Sequence, residues 1–134
     1  MYHFYDASVP PQYHRSYEID IEDTVIKFIV DSYGDVLLEE SFSISRKQLE
    51  DFKISLKKLK VKKQKPNVDR AGCTGGTSEA FFFYYNDEQK YDYNIAQCGG
   101  KYYGNMKADL DAVRSLFRNM VPDFTKKLES TRMD

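Results

Sequence analysis

Residues 13–21, YHRSYEIDI, set Tyr13, Arg15, Tyr17, Ile19 and Ile21 against His14, Ser16, Glu18 and Asp20 in strict alternation. A period of two over that length is the pattern of a half-buried strand, because successive side chains point to opposite faces. After Glu22 and Asp23 the run TVIKFIV (24–30) is β-branched and aromatic, which suits a second strand. SYGD (32–35) is a turn signal, and Val36 to Ile44 reads as a third strand. Three strands joined by short loops predict an antiparallel meander.

The pattern then changes period. Ser45 and Gln48 have the spacing of a capping box, in which each side chain satisfies a backbone N–H at a helix start. Leu49, Phe52, Leu56 and Leu59 follow at steps of three and four and fall on one helical face. That helix runs into KKLKVKKQK (57–65) and must end before Pro66. Substituting Phe52 or Leu56 by Asp would bury a charge on that face.

Asn67 to Thr77 reads as a glycine-rich loop, and Glu79 to Tyr85 with Lys90 to Gln97 as a hairpin around residues 86–89. If Asn86 stands opposite Gln89, then Tyr84 faces Tyr91, Phe82 faces Tyr93 and Ala80 faces Ile95, which makes one face aromatic. Residues 98–105, CGGKYYGN, read as a further loop, with Gly104 or Asn105 as the cap of a second helix carrying Leu110, Val113, Phe117, Met120 and Phe124. Pro122 should kink or restart that helix. The expected organisation is an irregular lead-in at 1–12, ending at Pro10-Pro11, a single α+β domain at 13–129 and a frayed tail at 130–134. Its order is β-β-β-α-β-β-α, with about five antiparallel strands and two helices packed on one face.

The 134 residues are enough for one domain with its own core. Eleven Tyr and nine Phe set the chain apart from a disordered one. The net charge of −1 hides a strong segregation. Residues 1–52 carry four basic and eleven acidic side chains, residues 53–70 eight basic and one acidic, and residues 71–134 eight and nine. No apolar run approaches the ~20 residues of a membrane span. The opening MYHFYD lacks the basic and apolar regions of a signal peptide, so a cytoplasmic chain and one whose leader was removed both stay open.

The chemistry-bearing residues are few. Cys73 and Cys98 sit in glycine-rich loops at the open end of the predicted hairpin, with Cys98 opposite Thr77. A Cys73–Cys98 disulfide would close a loop of about 25 residues and contribute roughly 3 kcal/mol. The alternative is two reduced, buried thiols. A bridge would place the protein in the periplasm or outside the cell, and free thiols in the cytoplasm. Cys73 as a nucleophile would need a base, and the only histidines, His3 and His14, lie far off in the sequence. Two Cys and two His so scattered match no closed zinc site, and no cofactor is expected. The loop GCTGG (72–76) precedes a strand rather than a helix and lacks a Lys-Ser/Thr pair, so it is not a phosphate cradle. The paired carboxylates have no His, Arg or metal-type partner that singles one out.

Two features point to recognition. The lysine run 57–65 lacks the interleaved aromatics and Arg of a nucleic-acid groove, which leaves a solvated helix end or an acidic protein partner. Tyrosine combines large contact area with few rotors and a polar tip, and it is far more abundant here than one small core needs. Tyr84, Tyr85, Tyr102, Tyr103, Lys58, Lys62 and Lys63 are therefore the candidate partner-binding residues. The expected function is non-enzymatic protein binding, most concretely by an inhibitor or immunity-type protein. The alternatives are an exported surface domain binding a peptide or carbohydrate, and a small thiol-dependent enzyme using Cys73.

Overall fold

The computed structural model describes residues 1–66, 76–85 and 89–132. It is an α+β protein with a large antiparallel sheet and helices on one of its faces. The meander reads out as expected: β2 (Ser16–Glu22), β3 (Val25–Ser32) and β4 (Asp35–Ser43) pair in sequence. Tyr13 and Arg15 precede β2 rather than extending it.

The predicted irregular lead-in is corrected. Tyr2–Tyr5 forms β1, the middle strand of the sheet, hydrogen-bonded to β2 on one side and to β6 (Thr77–Tyr85) on the other. Beyond β6 come β7 (Gln89–Cys98) and β8 (Lys101–Gly104), which gives the order β4-β3-β2-β1-β6-β7-β8. The sheet is thus two three-stranded meanders joined through β1. The predicted loop at 98–105 holds a tight hairpin instead. Gly99 and Gly100, with φ of 58° and 79°, form a two-residue turn between Cys98 and Lys101. Positive φ at both central residues matches the twist of the flanking strands, and glycine adopts it without strain. With β5 (Lys62–Lys63) and β9 (Met106–Lys107) forming a separate ribbon, the strands among the described residues exceed the five expected.

The β6–β7 register is also corrected. Phe81 pairs with Tyr93, Phe83 with Tyr91, Glu79 with Ile95 and Thr77 with Gln97. This is one residue away from the predicted pairing, because Tyr85 and Gln89 close the ladder. A one-residue slip exchanges the two faces of a strand, so Phe81 and Glu79 point to the core and Phe82 and Ala80 away from it.

Helix α1 (Arg46–Lys58) starts with the expected capping box. The Ser45 hydroxyl accepts from the Gln48 N–H, and the Gln48 side chain accepts from the Ser45 N–H. Leu49, Phe52 and Leu56 are buried. Pro122 lies in the break between α2 (Leu110–Arg118) and α3 (Phe124–Ser130), so a helix restarts after it, the second of the two expected outcomes, and three helices stand among the described residues. The cap of α2 is Asp109, not Gly104 or Asn105, and its carboxylate accepts from the Ala112 N–H. The predicted fray at 130–134 is corrected in part. Ser130 closes α3, and the Thr131 hydroxyl and carbonyl accept from the buried Arg15 guanidinium; residues 133–134 lie outside the described residues.

Phe117 of α2 and Phe124 of α3 meet Tyr2, Tyr17, Phe28 and Phe81 of the sheet, and Phe52 of α1 packs on Phe117. Within this aromatic layer lies one polar knot. Glu79, 3% exposed, accepts from Arg114 Nε at 2.7 and 3.0 Å, accepts again from Arg114 Nη2, and accepts from the Tyr2 hydroxyl at 2.5 Å. Burial, then the neighbouring Tyr17 and Glu79, pushes the Tyr2 phenol far above its ordinary range. Hydrogen bonding to Glu79 likewise holds Arg114 firmly protonated.

Removing one partner of a buried ion pair strands the other, at a cost of about 3–5 kcal/mol. Glu79→Gln should therefore lose about that much in urea unfolding, whereas Glu39→Gln, an exposed partner of Lys27, should lose less than about 1 kcal/mol.

Candidate functional site

The helices cover one face of the sheet, and among the described residues no helix covers the other. On that open face, where β1 ends and β2 begins, lies a groove of about 410 Å³. Both histidines of the chain line it. His3 stacks on Tyr5 with ring centroids 3.9 Å apart, and His14 stacks on Tyr33 at 3.8 Å. Asp6, Glu18 and Asp31 add carboxylates, and Ile29 and Val36 an apolar floor.

Each wall has a local cause. His3 and Tyr5 alternate with the buried Tyr2 and the partly buried Phe4 along β1, so both project to the open face. Residues 6–15 return over the sheet and are held there by polar side chains. The Asp6 carboxylate accepts from the Ala7 and Arg15 N–H groups, and the Asp6 N–H donates to the Ser16 hydroxyl. The Ser32 hydroxyl donates to the Pro11 carbonyl at 2.7 Å.

Tyr33 and Gly34 form the two-residue turn of the β3–β4 hairpin, with φ of 50° and 91°. A bulky residue rarely takes this conformation, and such strain persists only where the surroundings hold it. The Tyr33 ring lies on His14, its N–H donates to His14 Nδ1 at 3.3 Å and its hydroxyl donates to the Val9 carbonyl at 2.6 Å. Because Nδ1 accepts, the neutral His14 ring carries its proton on Nε2. Among the described residues no hydrogen bond reaches Nε2, and His14, 6% exposed, lines the groove.

Exposed apolar surface gathers here. Tyr5, Tyr33 and Val36 line the groove, Tyr33 being 55% exposed, and Tyr13 and Leu37, next in the chain to the lining residues His14 and Val36, are exposed as well. Among the described residues only Val25, Ile54 and Tyr102 are comparable large exposed side chains elsewhere.

The residues singled out from the sequence do not converge. Lys58 ends α1 and Lys62 and Lys63 form β5; all are exposed, without an ion pair among the described residues. Tyr102 and Tyr103 belong to β8, not to a loop, and lie on opposite faces of the sheet. Arg114 sits over the Tyr102 ring, 5.3 Å from its centroid. Tyr84 and Tyr85 are at the far end of β6, roughly 23 Å along the strand from the level of Tyr102 at about 3.3 Å per residue. Cys98 ends β7 and is not a free thiol. Cys73 lies outside the described residues, and so does the predicted pairing.

The groove itself escaped sequence reasoning: Tyr5 is two residues from His3, but His14 meets Tyr33, 19 residues on, only through the fold. Among the described residues no group of three His, Cys, Asp or Glu is placed to hold a metal ion, and no helix is long and apolar enough to cross a membrane. Compared with protein-family models, with curated proteins and with solved structures, the chain matches none.

Burial, then the negative charge of Asp20, raises the Glu18 carboxyl above its ordinary value, against the pull of His3. The folded chain therefore holds this proton to higher pH than the unfolded chain, and the stability it contributes is lost as pH rises through the carboxylate range. Compared with Glu18→Gln, the native protein should lose stability in urea titrations as pH rises through and beyond the ordinary glutamate range.

Proposed function

We propose that this chain is a non-enzymatic binding module that engages another protein, most concretely an inhibitor or immunity-type protein. The observation that supports this reading is the gathering of exposed tyrosines, both histidines and three carboxylates around one groove on the uncovered sheet face. Tyrosine faces that are already stacked and hydrogen-bonded lose little freedom on binding, which favours recognition. The acidic sheet face and the lysines of α1 and β5 stand apart, and segregated charge of this kind steers encounter and orients a partner.

A surface domain that takes a peptide or carbohydrate in the same groove is the second reading, supported by the accessible ring of Tyr33. A thiol-dependent reaction at Cys73 has less support, because both histidines of the chain are stacked on tyrosine rings at the groove. The Cys73–Cys98 bridge is part of the proposal. Native protein alkylated without reductant should keep both cysteines unlabelled and be two hydrogens light in intact mass; free labelling of both would contradict the bridge.

Site-specific photocrosslinking tests the binding face. A benzophenone amino acid at Tyr33 or Tyr13, introduced in the cell that makes the protein, should yield one discrete protein adduct. The same group at Ile54, exposed on α1, should yield none. Equal labelling at all three positions, or none at Tyr33 and Tyr13, would count against the groove as the binding surface.

A further inference from the structure

Resting on the binding-module reading, we infer that the groove accepts a basic segment of the partner protein, with one arginine or lysine side chain lying against Tyr33 and Tyr5 and its charge met by Glu18 and Asp31. Several independent features carry this.

The first is charge. Asp6, Glu18 and Asp31 line the groove, and Asp20 follows Glu18 on the same face of β2. Lys27, on β3 of this face, is held by Glu39 at 3.0 Å, and the imidazole of His3 stands 3.9 Å from Glu18. Glu18 is half-buried, and both its burial and Asp20 work against its negative charge, so an arriving cation relieves an existing penalty. The second is the aromatic wall. Each tyrosine backs onto an imidazole, and Tyr33 leaves more than half its surface exposed. An electron-rich ring face beside carboxylates is suited to a guanidinium or ammonium group.

The third separates a peptide from a free amine. His14 lines the groove, and with Nδ1 accepting from the Tyr33 N–H the donor of its neutral ring is Nε2. A donor placed among carboxylates does nothing for a lone cation, but it meets the backbone carbonyl of a peptide whose side chain fills the acidic part of the groove. An acidic segment would instead face Asp6, Glu18 and Asp31 together. At about 410 Å³ the groove has room for one long side chain and its adjoining backbone.

The experiment is a backbone-amide NMR titration of the full chain with three probes: a short blocked peptide alternating arginine and glycine, its glutamate counterpart, and a linear neutral oligosaccharide. The expected result is that the arginine peptide alone moves the amides of Tyr5, Ser16, Glu18 and Tyr33, and that added salt weakens its binding. The isosteric double variant Glu18→Gln, Asp31→Asn should bind it about tenfold or more weakly. Its amide spectrum away from the groove should stay unchanged, which shows that it is folded. Undiminished affinity in that variant overturns the inference. Preference for the glutamate peptide also overturns it while leaving a protein-binding module in place. Preference for the oligosaccharide overturns the inference and the binding-module reading together. If no probe moves the groove amides, the inference fails, and crosslinking from Tyr33 reports separately on the module.

Discussion

The Glu79 carboxylate, buried between sheet and helix, is the constraint on which the rest of this structure depends. It joins three elements that are distant in sequence: β6 through its own backbone, α2 through Arg114 and β1 through the Tyr2 hydroxyl. A charge in that position is tolerated only because each oxygen has a donor, and it is correspondingly demanding about where those donors stand. Tyr2 is completely buried and stacks on Phe81 at 4.8 Å while its hydroxyl reaches Glu79, so the short strand that carries it has a single position in the sheet. Arg118 adds a parallel tie, donating to the Tyr17 hydroxyl at 2.7 and 3.0 Å.

The placement of β1 has consequences on the opposite face. With Tyr2 and Phe4 turned to the core, the alternation of the strand sets His3 and Tyr5 on the open side, next to Glu18 of β2. The chain then has to return to the start of β2, and residues 6–15 do so by folding over the sheet edge-on to the Tyr33–Gly34 turn. The groove is therefore a by-product of the zipper strand. His3 and Tyr5 are set by the strand that joins the two meanders, and His14 and Tyr33 by the contacts of Asp6, Ser32 and the Tyr33 hydroxyl.

Much of the fold could be read from residue pattern alone, and the parts that could not share a reason. The α1 face and its Ser45–Gln48 box, the β2–β3–β4 meander and the break at Pro122 are local signals, set by periodicity, capping and the missing proline N–H. β1 is four residues long, too short for periodicity, and is a strand because two neighbours pair with it. The β6–β7 register turned on a loop one residue longer than a two-residue turn, and with aromatic residues on both faces either register gave a plausible pattern. Glu79 looked like any surface carboxylate until its face was known. The site was less visible still, because His3, His14 and Tyr33 meet only through a left-handed tyrosine and a folded-back loop. The lysines and loop-borne tyrosines that composition singled out are real surface features, yet the fold distributes them over separate regions.

Residue-resolved hydrogen exchange is the most direct test that β1 is the locked centre of the sheet. The account predicts that the backbone amides of residues 2–5 exchange only with global unfolding, in the same class as those of β2 and β6. Exchange of residues 2–5 in an earlier, independent opening, while β2–β4 and β6–β8 remain protected, would contradict it and would remove the physical basis for a preformed groove.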